Sequence, residues 1–223
     1  MNTNRPLFKV YYYTFIDAIC NNYTMCNENF IKLSNTQNYF ILTSGNIDNI
    51  KYDEYLKNHG VSGNFIHSDI NSYPVKFNIF KKFLEKNKEQ YQNCIFCKID
   101  TDLVHYKIKS FHTFLNNEFS VNKRYFIGNE KGYWIRGGLN AIHIDSILSC
   151  PPLCEKRWDD FDGIFTTTLV ENNIIVKKNI QLFNKSTSLL QDKFGTHVCG
   201  PNKIEEILNL NKELNKIYID IYQ

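Results

Sequence analysis

The sequence CIFCKIDTDLV, residues 94–104, carries the strongest structural signal in this chain. Its first four residues are apolar, and a short apolar run that ends at polar residues is typical of a buried strand. Asp100 and Asp102 follow, so in an extended chain their side chains share one face. Two neighbouring carboxylates repel each other, and Mg²⁺ or Mn²⁺ removes that repulsion. The stretch therefore predicts a metal site that can hold a diphosphate; the alternative is an exposed strand end with two solvated acids.

Strands and helices alternate before this stretch. Turn residues and residues that favour strands or helices predict five elements, at 9–15, 26–33, 39–43, 50–59 and 64–67. An amphipathic helix follows, because Phe77, Phe80 and Leu84 recur at helical spacing. This order indicates an α/β fold with a mostly parallel central sheet. Ligands bind such sheets beyond the carboxyl ends of the strands, which is where Asp100 and Asp102 lie.

Further elements are predicted after the aspartates. Short strands are expected at 125–128 and 173–177. Gly137 and Gly138 predict a tight turn at the start of a helix over 139–148. Two more helices are expected, one that begins near residue 157 and runs to 170, and one over 204–217. The last has one apolar face, formed by Ile204, Ile207, Leu208 and Leu214.

The composition limits the class of protein. The chain has 223 residues, 43% of them hydrophobic, which suits one domain with a substantial core, here taken as residues 1–223. A net charge of +3 without a basic stripe makes a nucleic-acid partner unlikely on electrostatic grounds. No apolar run is long enough for a membrane span, and we expect a soluble, cytoplasmic protein. The abundant asparagines are interpreted as the codon bias of an AT-rich genome, viral or protist.

The seven cysteines are an odd number, which favours free thiols in a protein of this kind. Cys94 and Cys97, with Cys150 and Cys154, have a spacing that also permits a zinc site. Cys94 and Cys97 fall in the predicted strand, however, where residues three apart point to opposite faces. Buried free thiols are therefore the preferred interpretation.

The order of the motifs resembles the Fringe-like branch of the GT-A glycosyltransferases, which are β-1,3-galactosyl- and N-acetylglucosaminyltransferases. Tyr73 and a lysine-bearing helix lead to the block at 98–104, like the Lys-Thr-Asp-Asp-Asp-type block of that family. The segment 133–138 is similar to its aromatic-x-x-Gly-Gly turn, and 158–163 to its Glu-Asp-Val block. His197 corresponds to a late histidine. This implies a GT-A-like three-layer sandwich with a mostly parallel central sheet.

The resemblance also implies roles for the candidate metal ligands. Asp102 is the first choice for the direct ligand, because a cation there would offset the charge of a departing diphosphate. Asp100 would orient a metal-bound water or the ribose, and the resemblance adds His197 to the metal shell. An imidazole ligand favours Mn²⁺ over Mg²⁺. The alternative for His197 is an ordinary loop histidine. The chain departs from the family pattern at Thr101, the middle residue of the block, and at Asp159, which replaces a glutamate.

The resemblance implies a general base at Asp160, with Asp162 in reserve. Both lie where a helix is predicted to begin, so capping of that helix or binding of the acceptor is the alternative. An inverting transfer needs one such base to take the proton of the acceptor hydroxyl. Further substrate contacts are expected from residues that would border the sugar, the base or the phosphates: Thr14, Lys76, Trp134, Gly137 and Gly138. For Lys76 the simpler alternative is an exposed lysine, for Trp134 a core aromatic, and for the glycines a tight turn only.

These observations predict a metal-dependent, inverting glycosyltransferase that moves a hexosyl or N-acetylhexosaminyl group from a UDP-sugar to a hydroxyl of a glycan or protein. Its cofactor would be Mn²⁺ or Mg²⁺. Three alternatives stay open: a nucleotidyltransferase, an inactive module that binds nucleotide sugars, and an enzyme that glycosylates DNA bases. The first usually has a glycine-rich loop near its N-terminus, and residues 9–30 contain no glycine.

Overall fold

The structure is a computed structural model. It describes residues 7–16, 21–44, 54, 56–131, 134–154, 161–177, 180–186, 188–189 and 192–222, with the backbone alone at 21–23, 134 and 218–222. The strands are β1 (Lys9–Ile16), β2 (Tyr39–Ser44), β3 (Asn64–Ser68), β4 (Cys94–Ile99), β5 (Leu103–His105), β6 (Tyr125–Lys131), β7 (Trp134–His143), β8 (Ile175–Lys177), β9 (Phe183–Lys185) and β10 (Gly195–His197). The helices are α1 (Asn21–Cys26), α2 (Glu28–Ser34), α3 (Tyr73–Lys86), α4 (Ile108–Val121), α5 (Ile144–Ser149), α6 (Phe161–Glu171) and α7 (Lys203–Tyr222).

A seven-stranded sheet forms the centre of the fold, in the order β3-β2-β1-β4-β7-β6-β8. Its first four strands are parallel, whereas β7 runs antiparallel to both β4 and β6. A second sheet has three strands, in the order β5-β10-β9. The predicted α/β architecture with a mostly parallel sheet is confirmed.

Side chains of alternate residues in β1 enter different cores, as the period of a strand requires. Tyr11, Tyr13 and Phe15 pack with residues of α3, α5 and α6. Tyr12 and Ile16 pack with residues of α2 and α4 on the other face. The sheet therefore has helices on both faces, which is the predicted three-layer sandwich. A smaller cluster joins α7 to the three-stranded sheet.

One predicted element is wrong. The segment 139–148 is not a helix, because β7 continues through it to His143 and only Ile144–Ser149 is helical. Both faces of β7 are buried: Leu139 and Ala141 enter one core and Ile142 the other. A strand buried on both faces lacks the alternation of polar and apolar residues that identifies a strand. Gly137 and Gly138 therefore lie within a strand and not in a turn before a helix.

The helices differ from prediction at two other places. Helix α4 was not predicted, although Phe111, Leu115 and Phe119 are buried at helical spacing. In α7 the predicted apolar face is shifted, because Ile204 and Leu208 are each 39% exposed while Ile207 and Leu214 are buried. Half of the helix predicted over 50–59 lies outside the described residues; of the other half, 54 and 56–58 are helical. Within the described part of the chain, no helix is long and apolar enough to cross a membrane.

Candidate metal and ligand site

The predicted metal ligands meet where β4 ends. Asp100 follows β4 directly, and Asp102 lies in the turn that leads to β5. His197 ends β10, which pairs antiparallel with β5 so that His197 lies opposite Leu103. One ligand atom from each of Asp100, Asp102 and His197 lies within 4.8 Å of the others. Two carboxylates and an imidazole are a donor set that suits a divalent cation.

Asp102 lies between a histidine and a lysine, His197 and Lys203. His197 Nε2 is 2.9 Å from Asp102 Oδ1, and Lys203 Nζ donates a hydrogen bond of 2.6 Å to Asp102 Oδ2. Burial raises the pKa of Asp102, but the hydrogen bonds and charges of His197 and Lys203 outweigh burial and lower this pKa from 3.8 to about 2. Asp102 is thus an ionised carboxylate at any ordinary pH, as a metal ligand must be.

Lys203 is a site residue that the sequence reasoning missed. It is the first residue of α7, and 101 positions separate it from Asp102. The available signal was its position six residues after His197, at the start of a predicted helix. Its positively charged ammonium lies beside the carboxylate that is predicted to bind the metal.

A second lysine, Lys98, joins two carboxylates on the side of the sheet that faces α6. Lys98 Nζ is 2.6 Å from Asp100 Oδ1 and 3.7 Å from Asp162 Oδ1, and it donates a hydrogen bond of 2.9 Å to the carbonyl of Gly137. Burial lowers the pKa of Lys98, yet Asp100 and Asp162 together raise it above its ordinary value. The buried lysine therefore stays charged and holds both carboxylates, each of which is about one-third exposed.

Gly137 and Gly138 are required by what packs against them. A Cβ atom on Gly137 would lie 2.5 Å from both Lys98 Nζ and Asp162 Oδ2, and one on Gly138 would lie 2.6 Å from the Phe183 ring. The helix expected directly after Gly137 and Gly138 is wrong, because β7 continues past them. Gly137 leaves the space in which Lys98 and Asp162 meet.

The other expected ligand contacts have different outcomes. Thr14 and Lys76 are each 1% exposed, so neither side chain reaches the surface in this conformation. The Lys76 ammonium lies 4.6 Å from the centre of the Tyr73 ring, and Lys76 is not the exposed lysine of the simpler interpretation. Trp134 opens β7, but its side chain is outside the described part. Asp160, the predicted base, is also outside the described residues.

The comparisons with known proteins identify the fold. No family model matches the sequence, and no curated protein matches it. Among solved structures, an active-site mutant of LgtC, a glycosyltransferase of GT-A type, superposes with a TM-score of 0.52 at 13% identity over 91% of this chain and 95% of LgtC. A cytidylyltransferase from Leptospira borgpetersenii serovar Hardjo-bovis gives 0.51 at 11% identity, over 94% and 96%.

The chain has a GT-A-like fold. At these identities the similarity shows the fold alone, and glycosyltransferases and nucleotidyltransferases share it. The Fringe-like branch stays a prediction. The activity has to be argued from the site formed by Asp100, Asp102, His197 and the two lysines.

Proposed function

We propose that this protein is a metal-dependent glycosyltransferase that moves a sugar from a UDP-sugar to a hydroxyl of a glycan or protein. The observation that carries the proposal is the convergence of Asp100, Asp102 and His197 at the ligand-binding edge of a GT-A-like sheet. His197 reaches Asp102 from a strand that lies 95 residues later in the chain. Two acids that lie at a strand end by chance would have no need of a histidine from so distant a part of the chain.

Asp102 and His197 would hold the cation, with Mn²⁺ favoured and Mg²⁺ the alternative. The bound cation would offset the negative charge that builds on the departing diphosphate. Lys203 contributes a further positive charge beside the same carboxylate, and an ammonium in that place suits a phosphate oxygen. Lys203 and the bound cation would therefore both place positive charge where a diphosphate would lie.

Asp100 would contact the ribose or a metal-bound water, with its other oxygen held by Lys98. Lys98 also pairs with Asp162, so the acidic start of α6 lies near Asp100 and would border the bound donor. We assign the general base of an inverting transfer to Asp160, with Asp162 as the reserve. Substitution of each by Asn tests which of the two residues is the base. The anomeric configuration of the wild-type product tests the mechanism, because retention contradicts a single-base inverting transfer.

The proposal is tested first by ligand binding. A thermal-shift screen of UDP-sugars with and without Mn²⁺ should reveal a donor that raises the melting temperature only when the metal is present. That donor is then followed for hydrolysis and for transfer to simple glycosides. Asp102→Ala should abolish turnover. The control is Asp192→Ala, which removes an exposed carboxylate that also pairs with a lysine, Lys193. Equal turnover in both variants contradicts the metal role of Asp102.

A nucleotidyltransferase is the second candidate, favoured by the similarity to the Leptospira cytidylyltransferase. It would release pyrophosphate from CTP, or another nucleoside triphosphate, in the presence of a sugar phosphate. Pyrophosphate release with these substrates, and no transfer from any UDP-sugar, selects this candidate. UDP binding that depends on Mn²⁺ without consumption of any donor selects the inactive binding module. Binding to DNA that weakens steeply with salt would favour the enzyme that acts on bases.

A further inference from the structure

We propose that Asn27 is a positioning residue for the metal-binding carboxylate of Asp102, an inference that rests on the proposed function. Asn27 lies between α1 and α2, is fully buried, and caps the N-terminus of α2. Among the described residues, its amide is hydrogen-bonded to backbone groups. Its effect is exerted on the backbone of the turn that carries Asp102.

The Asn27 side chain makes three hydrogen bonds, two as a donor and one as an acceptor. Its amide nitrogen donates to the carbonyl of Thr101 at 3.0 Å and to the carbonyl of Leu103 at 3.1 Å. Its amide oxygen accepts from the backbone N–H of Phe30 at 3.1 Å. A short side chain with two donor hydrogens and one acceptor is an asparagine and no other residue type. Serine and aspartate would keep the cap of α2 and lose the bonds to the turn.

The two carbonyls that Asn27 binds lie on either side of Asp102. The carbonyl of Asp102 itself accepts a hydrogen bond of 3.1 Å from the N–H of Val198, the residue after His197. Three successive carbonyls are therefore fixed, the outer two by Asn27 and the middle one by the segment that carries His197. Since each peptide unit is planar, fixing these groups fixes the backbone dihedrals near Asp102 and the direction of its side chain.

The position of Asp102 relative to His197 therefore depends on Asn27. Metal ligands must be held within about 0.5 Å of their productive geometry. Partners that orient a ligand without touching the metal typically change metal affinity by about 10–100-fold when they are removed. Without the amide, the carbonyls of Thr101 and Leu103 would lose their partner, and the turn would relax toward solvent or trapped water.

The test compares two substitutions of the same kind. Asn27→Ser keeps a cap for α2 but releases the turn. Asn78→Ser is the matched control, because Asn78 binds the carbonyl and the N–H of Leu153 at 3.0 and 2.8 Å, away from the metal ligands. Mn²⁺ binding to the full chain is measured in the cold by the loss of the free-ion EPR signal, and stability by thermal unfolding. We expect both variants to melt at lower temperature, and only Asn27→Ser to bind Mn²⁺ about tenfold more weakly.

The outcomes separate this inference from the function on which it rests. Unchanged Mn²⁺ affinity in folded Asn27→Ser, with normal binding by the wild type, overturns the positioning role alone. Absence of Mn²⁺ binding by the wild type overturns the metal site and this inference together. If Asn27→Ser does not fold, Asn27→Thr is used, which also caps a helix and also lacks the amide donors. Weaker Mn²⁺ binding by that variant supports the inference, and full affinity overturns it.

Discussion

Lys203 gives the sharpest prediction, because its removal should change metal binding and nucleotide binding in opposite directions. The substitution is Lys203→Met, which keeps most of the aliphatic length and removes the ammonium that donates to Asp102 at 2.6 Å. An ammonium and a divalent cation on the two oxygens of one carboxylate would lie roughly 4–5 Å apart. Their repulsion is then about 2 kcal/mol even at the dielectric constant of bulk water.

Part of this repulsion is relieved because the Lys203 side chain, 18% exposed, can turn toward solvent. If about 1.4 kcal/mol is left, Lys203→Met should bind Mn²⁺ roughly tenfold more tightly than the wild type. The same variant should bind UDP more weakly at saturating Mn²⁺, since a cation beside the diphosphate is lost. Isothermal titration of Mn²⁺ alone, and of UDP with Mn²⁺ present, measures both effects.

The matched control is Lys177→Met, which breaks a close ion pair between β8 and Glu118 of α4. It should leave both affinities unchanged. Weaker binding of Mn²⁺ to Lys203→Met would refute the reasoning, because it would mean that the lysine organises Asp102 for the metal and does not compete with it. Unchanged UDP affinity would refute the assignment of Lys203 to the diphosphate.

Three further predictions concern the carboxylates. Lys98→Met leaves Asp100 and Asp162 without their shared cation, and urea denaturation should show a loss of about 2 kcal/mol in unfolding free energy, less than the roughly 3–5 kcal/mol of a fully buried pair because both acids are partly exposed; an unchanged midpoint would be inconsistent with this. Gly137→Ala places a methyl group 2.5 Å from Lys98 Nζ and Asp162 Oδ2, so transfer should fall while Mn²⁺ affinity is kept, and full activity would show that the pair is unimportant. The folded-state pKa of Asp102 is lowered from 3.8 to about 2, so ionised Asp102 stabilises the fold by about 2 kcal/mol. This stabilisation is complete above pH 3.8 and is lost as the pH falls through 2. The unfolding free energies of the wild type and Asp102→Asn should therefore converge over that interval, and parallel curves would exclude the effect.

Local sequence signals explain which parts of the site were predicted. A short apolar run followed by Asp100 and Asp102 identifies a strand end by itself, and the structure confirms it. His197 was found only through the resemblance, and the structure brings it to Asp102. Lys203 and Asn27 were not found, because their contacts cross 101 and at least 74 residues and no local pattern encodes them.

The errors have an equally physical origin. The segment around Leu139 is apolar on both sides because the two faces of β7 enter two different cores, so its pattern does not separate a strand from a helix. The asparagines were assigned to genome composition, and composition alone gives no reason to single out Asn27. Its importance follows from the two carbonyls that it meets in the fold.

The chain order of the site has a consequence for synthesis. Asp100 and Asp102 leave the ribosome long before His197 and Lys203, which are 95 and 101 positions further from Asp102. Until α7 has emerged, the nascent protein carries two acids at the end of β4 without the lysine that neutralises one of them, and the apolar face that α7 covers is open. A translation product that stops before α7 would therefore leave the apolar face of the three-stranded sheet uncovered, which makes early termination a source of aggregation-prone protein.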